Sequence, residues 1–254
     1  MNKIADAFQN GKAFIPFITC GDPSLDVTEE LVLAMEQAGA DLIELGIPFS
    51  DPTAEGPVIQ AANVRALSGG VTTDKIFAMV ERIRRKSQVP MVFMTYANVV
   101  FSYGTERFVK RAAELGVDGI ILPDVPYEEK EEFASVCRQH GLALISLAAP
   151  ASHQRIAKIA ASAEGFLYCV SSPGATGART DPGEIVKLAH QNGSVPCAVC
   201  FDISTPEQAK KMAGIADGVI SGSAIVKLCA KYGTDCVPYV VEYVKEMKAA
   251  VREA

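Results

Sequence analysis

A single α/β domain of eight parallel strands alternating with helices and closed into a (β/α)8 barrel is the fold class this sequence predicts. Three observations carry the prediction. Short continuous apolar runs, as expected of strands buried on both faces of a parallel sheet, alternate with longer amphipathic runs along the whole chain. A quasi-repeat punctuates them: Ala-Gly-Ala-Asp at 38–41, Leu-Gly-Val-Asp at 115–118 and Gly-Ile-Ala-Asp at 214–217 each close a helix and open a strand. No linker or change of composition interrupts the 254 residues, a length that α/β barrels reach as one unit, so residues 1–254 read as one domain. An open doubly wound sheet is the alternative. It usually carries a GxGxxG after the first strand, and none stands there.

The strands follow in order. Residues 14–19, 42–46, 91–96, 119–122, 143–148, 166–170, 196–201 and 218–221 are the apolar runs. Between them, 28–37 sets Leu31, Val32, Ala34 and Met35 among charged positions, and 73–86 repeats the pattern with Ile76, Phe77, Val80 and Ile83. Further helices fit 106–115, 128–140, 153–161, 184–191 and 206–213, with a last one at 238–251. Ser204-Thr-Pro-Glu is a helix start, a capping residue just before a first-turn proline.

Composition narrows the function classes. The chain is 49% hydrophobic and 21% charged, with a formal net charge of −6. That charge gives no basic field for nucleic acid or an anionic membrane, so an anionic ligand must be held by local groups. No signal-like or membrane-length apolar segment is present, which predicts a soluble, cytoplasmic protein. The seven cysteines form no disulfide framework, as suits a reducing compartment. Cys197-Ala-Val-Cys200 is a CxxC, but strand alternation sends its two thiols to opposite faces. Two buried small hydrophobes are the favoured reading, a metal or redox site the second. His140, His153 and His190 lie on helices or at their starts and supply no metal cluster.

In a barrel of this kind chemistry sits at the C-terminal ends of the strands. Glu44 falls inside the second apolar strand, where a carboxylate is costly without a partner or a task. Desolvation there raises its pKa towards the range of general acid–base work; a structural carboxylate is the other reading. The loop that follows carries Asp51 and Glu55 among three prolines and a glycine, which suits a lid or a solvated connector. Ser221-Gly-Ser223 feeds a helix N-terminus whose free N–H groups suit a phosphate. Ser171-Ser-Pro-Gly-Ala-Thr-Gly177 is glycine-rich and able to close over a ligand, or simply flexible. Phe17, Met94, Ile121, Tyr168, Phe201 and Ile220 are core by default, and Tyr168 and Phe201 at strand ends could face an aromatic ligand.

These segments together resemble the tryptophan synthase α-subunit family over nearly the full chain. The strongest piece is Glu-Leu-Gly-Ile-Pro-Phe-Ser-Asp-Pro at 44–52. It is joined by Phe14-Ile-Pro-Phe-Ile-Thr with Gly21-Asp-Pro, Tyr96-Ala-Asn98, Pro123-Asp-Val-Pro126, Gly174-Ala-Thr-Gly177 and Ser221-Gly-Ser-Ala-Ile-Val-Lys227. The resemblance implies a lyase that splits indole-3-glycerol phosphate into indole and glyceraldehyde 3-phosphate in tryptophan biosynthesis. It implies Glu44 as general acid–base, Glu55 on the indole N–H, and Thr176 and Gly177 closing over the site. It further implies Gly222 and Ser223 on the phosphate, and Phe17, Tyr168 and Ile220 around the indole. No cofactor is implied on this chain. The implied partner is a pyridoxal-phosphate β subunit in an α2β2 heterotetramer.

The chain departs from the family's pattern in two places. Glu55 stands where the family has aspartate, adding one methylene of reach. Cys200-Phe-Asp202 stands where it has Gly-Phe-Gly, placing a negative charge beside the expected phosphate. The active subunit is therefore weighed first, and second a poorly active chain that mainly activates or scaffolds a β partner. A free-standing lyase and another phosphate-binding barrel follow.

Overall fold

Each apolar run becomes a strand because a sheet covered by helices leaves neither of its faces in water. The computed structural model describes residues 3–150, 152–170, 181–200 and 202–254. Its strands are β1 (Ala13–Thr19), β2 (Ile43–Gly46), β3 (Met91–Met94), β4 (Gly119–Ile121), β5 (Ala143–Ala148), β6 (Leu167–Val170), β7 (Cys197–Cys200) and β8 (Gly218–Ser221). All neighbours are parallel, they pair in sequence order, and β8 returns to β1, closing a (β/α)8 TIM barrel.

Eleven α-helices occur among the described residues: α1 (Leu25–Gln37), α2 (Pro57–Ser68), α3 (Thr73–Arg84), α4 (Ala97–Tyr103), α5 (Thr105–Glu114), α6 (Glu131–Gln139), α7 (His153–Ala161), α8 (Pro182–Asn192), α9 (Pro206–Ala213), α10 (Ser223–Tyr232) and α11 (Val237–Arg252). Two of them, α2 and α4, fall where the sequence reading assigns no element. Pro57, read there as loop punctuation, occupies the first turn of α2, where its missing N–H costs nothing. The start of α9 follows the sequence reading, with Thr205 and Gln208 forming a reciprocal capping box.

Strand alternation sorts side chains into two layers. Ile15, Val92, Ile121, Tyr168, Ala198 and Ile220 fill the barrel interior, whereas Leu45, Phe93, Val199 and Val219 pack outwards against the helices. The CxxC behaves as alternation dictates: Cys197 lies in the outer layer and Cys200 against the inner one.

The floor of the barrel is stoppered. A 3-10 helix, Ile4–Phe8, buries Ile4 and Ala7 in the interior cluster, and the Phe8 ring stands 5.9 Å from that of Phe166. Gly165 leaves the space it needs, since a Cβ there would lie 2.7 Å from Ile145 and 3.0 Å from Ile4.

The quasi-repeat now has a physical role. Asp41, just before β2, accepts the Phe14 N–H of β1 at 2.7 Å, and Asp118, before β4, accepts the Met91 N–H of β3 at 3.0 Å. Asp217, before β8, accepts the Cys197 N–H of β7 at 2.8 Å. Each aspartate thus ties the start of one strand to its predecessor and satisfies a donor that the sheet leaves open.

Candidate active site

At the opposite end, the strand tips and their loops surround an open cavity of about 1150 Å³. Its wall includes Phe17, Glu55, Tyr168, Ile220, Gly222 and Ser223, six of the residues singled out from the sequence. Thr176, Gly177 and Phe201, singled out with them, lie outside the described residues.

Glu44 sits within β2, in register with Phe17 of β1 and Val92 of β3. It is completely buried, and neither carboxyl oxygen finds a hydrogen-bond partner among the described residues. Burial, reinforced by the nearby Glu55 charge, pushes its pKa up to about 8. At neutral pH the group is therefore mostly a neutral carboxylic acid. The structural alternative raised above, an inward carboxylate matched by a polar partner, finds no such partner among the described residues.

Glu55 has a different environment. It stands just before α2, half-buried, and accepts a 2.6 Å hydrogen bond from Asn63 Nδ2 of that helix. Burial raises its pKa, while hydrogen bonds from Asn63 and the Tyr96 hydroxyl pull it back. The Tyr96 hydroxyl also accepts the Ala54 N–H at 3.1 Å, so one phenol organises both the acid and its loop. Desolvation holds that phenol protonated, its pKa pushed up to about 12. Glu44 itself lies behind the cavity wall, close enough to feel the Glu55 charge, and the two carboxyls differ in character: one is orphaned, the other is held by donors.

Asn63 and Tyr96 were not assigned roles from the sequence. A signal for Asn63 was available, because an amide interrupts the otherwise apolar buried face of α2 that Ala62 and Ala66 define.

The aromatic side of the cavity depends on close packing. The Phe17 ring packs with Ala62 of α2 and Val226 of α10. It lies across Gly46, where an added Cβ would come within 2.6 Å of it. Tyr168, from β6, is buried beside Glu44 and hydrogen-bonds the Cys200 thiol. Burial pushes that thiol up to about 11.

At the far wall α10 begins on Gly222, with no side chain capping its first turn. That N-terminus, with Ser223, is free to receive an anion. Ser221 is engaged instead in structure, donating to the Ile203 carbonyl at 2.8 Å and lying 2.7 Å from the Tyr243 hydroxyl. Asp202 lines the same wall, exposed, with φ +53. Among the described residues it is the one non-glycine with positive φ, a conformation that aspartate tolerates better than most. A left-handed backbone of this kind is one that glycine adopts without strain, and the side chain here adds a negative charge to the wall.

Residues 4–252 match the family model described as tryptophan synthase alpha chain. The tryptophan synthase alpha chain of Lacticaseibacillus casei is 48% identical over 255 residues, 99% of this chain and 96% of that one. The solved alpha subunit from Legionella pneumophila superposes with a TM-score of 0.90 at 35% identity, covering all of both chains. A chain of the Pyrococcus furiosus tryptophan synthase a2b2 complex gives 0.87 at 34% identity, over 94% of this chain and 99% of that one. This chain belongs to the tryptophan synthase alpha chain family.

Proposed function

We propose that this chain cleaves indole-3-glycerol phosphate by a retro-aldol reaction, releasing indole and glyceraldehyde 3-phosphate, with Glu44 and Glu55 dividing the acid–base and charge-holding work. One observation carries the reading: Glu44 is wholly buried at the strand tips, unpartnered among the described residues, and keeps its proton up to about pH 8.

The reaction transfers one proton overall, from the hydroxyl on the carbon attached to indole C3 to C3 itself. A neutral carboxylic acid can give its proton to C3, and the resulting carboxylate can take the hydroxyl proton as the C–C bond breaks. Protonation of C3 leaves positive charge at the indole nitrogen. Glu55, whose carboxylate is favoured by hydrogen bonds from Asn63 and Tyr96, accepts the N–H and holds that charge. Phe17, Tyr168 and Ile220 supply an apolar slot for the ring, and the N-terminus of α10 with Gly222 and Ser223 takes the phosphate. No cofactor is required on this chain. Pyridoxal phosphate belongs to a β subunit, the partner in an α2β2 assembly, which consumes the indole.

Asp202 favours a second reading, a weakly active chain that mainly stimulates its partner, because a carboxylate lines the wall where the dianion would sit. The deciding measurement is indole release by the purified chain with and without a β subunit. Activity that rises with the partner and vanishes in Glu44→Gln supports the first reading. Silence in the parent with recovery in Asp202→Gly supports the second. Silence in every form, with the partner still stimulated, excludes catalysis by this chain.

A further inference from the structure

The three aspartates at the barrel floor make the same backbone contact but are neutralised differently. Asp41 meets Lys248 at 2.6 Å and Asp118 meets Arg84 at 3.4 Å, both permanent cations. Asp217 is met by His190, Nε2 to Oδ2 at 2.7 Å, while its Oδ1 stands 4.0 Å from the Lys12 ammonium, beyond hydrogen-bond reach. Two thiols adjoin this third site. Cys197 lends its N–H to Asp217, and Cys169, on the adjoining strand β6, hydrogen-bonds the Cys197 thiol. One ligand atom from each of His190, Cys197 and Asp217 lies within 4.8 Å of the other two. Separations of 7 and 20 residues hide this grouping from any spacing rule, and only barrel closure assembles it.

We infer that His190, Cys197 and Asp217 form a binding site for a thiophilic divalent cation of the zinc class, with a water completing the coordination. The donor set is nitrogen, sulfur and oxygen, which suits zinc or cobalt and disfavours magnesium and calcium. Tetrahedral coordination needs ligand atoms about 3–4 Å apart, so the cluster must contract by roughly 1 Å. The means are present: His190 is an exposed side chain on α8, able to shift and to open a path from solvent. Asp217 can keep the Cys197 N–H on Oδ2 and offer Oδ1 to the ion. Coordination expels the Cys197 thiol proton to solvent, so affinity rises with pH.

The test uses the whole chain, freed of metal by chelation and titrated with cobalt(II), then with zinc(II). One cobalt per chain with a thiolate-to-metal absorption band, discharged by zinc, is expected. His190→Ala should weaken binding by roughly 10–100-fold. Cys200→Ala, at the other end of the barrel, should leave band and affinity unchanged. No thiolate band in the parent overturns the site, as does undiminished binding in His190→Ala or loss of the band in Cys200→Ala. Should Cys197→Ala fail to fold, the exposed His190 variant still decides.

Discussion

The two ends of the barrel treat buried carboxylates in opposite ways. At the floor, Asp118 accepts the backbone N–H groups of Lys3 and Met91 and faces the Arg84 guanidinium, so each oxygen is occupied. At the mouth, Glu44 is buried more completely and has no hydrogen-bond partner among the described residues. Thr19, at the tip of β1, supplies the other buried side-chain oxygen without a partner there. Leaving such a group unsatisfied costs the fold about 1–3 kcal/mol, and more if it is charged. The satisfied carboxylates are architecture. On the proposed function, the orphaned one marks where stability is given up for chemistry.

Substitutions at the two ends should separate these roles. The largest effect is expected from Glu44→Gln, which should lower the rate of indole release by about 10²–10⁴-fold without lowering the melting temperature, because the amide has no charge to desolvate. A Glu44→Gln protein that kept its rate would undo the contrast from the catalytic side.

Linkage provides the next largest effect. The folded chain keeps the Glu44 proton to about pH 8, whereas the unfolded chain releases it near the ordinary value of 4.5. Between those values the folded state holds the extra proton, so raising the pH favours unfolding. This group should therefore subtract roughly 4 kcal/mol of stability between pH 5 and pH 8. Denaturant melts of parent and Glu44→Gln across that window should diverge as pH rises and run parallel above it. A constant difference would mean that the carboxyl is ionised in the fold. The kcat/KM profile of the parent should fall above about pH 8 for the same reason, as the acid form is lost.

At the floor, Asp118→Asn should cost about 3 kcal/mol of stability, since it leaves the Arg84 cation short of its counter-charge and disturbs two backbone donors. Turnover per folded molecule should hardly change. Thermal melts paired with active-site titration measure both, and a loss of turnover without loss of stability would erase the distinction between the ends. A smaller effect should follow from Asn63→Ala. Loss of a hydrogen bond that lowers the Glu55 pKa should shift the acidic limb of kcat/KM upwards and reduce neutral-pH activity about 10-fold. The smallest is expected from Asp202→Gly, which should tighten inorganic phosphate binding a few-fold, by about 1 kcal/mol. Asp202→Asn, keeping bulk and removing charge, tells electrostatics from backbone.

Much of this contrast is legible in the amino-acid sequence. The eight apolar runs located every strand to within a residue or two, because burial on both faces leaves an unbroken hydrophobic signature. Glu44 stood out as the one charge inside such a run. What escaped notice was what depends on pairing across the barrel. Helix α2 hid behind Pro57 and a mild apolar pattern, and with it the Asn63 contact that sets Glu55. The aspartates of the quasi-repeat were legible as punctuation, but their bonds to the preceding strand follow from register, which no local spacing encodes. Asp202 was visible as a departure, while its left-handed backbone and its place on the cavity wall required the fold.

The stopper formed by Ile4–Phe8 bears on traffic through the molecule. Its side chains continue into a column that rises through Ile15, Val92 and Ile121 to Tyr168, so the described residues leave no back door through the barrel axis. A small oily product made at the strand tips cannot drain through the axis and must leave by the entrance its precursor used. Whatever covers that entrance therefore governs both arrival and departure, and a protein seated there could receive the product without its first passing into bulk water.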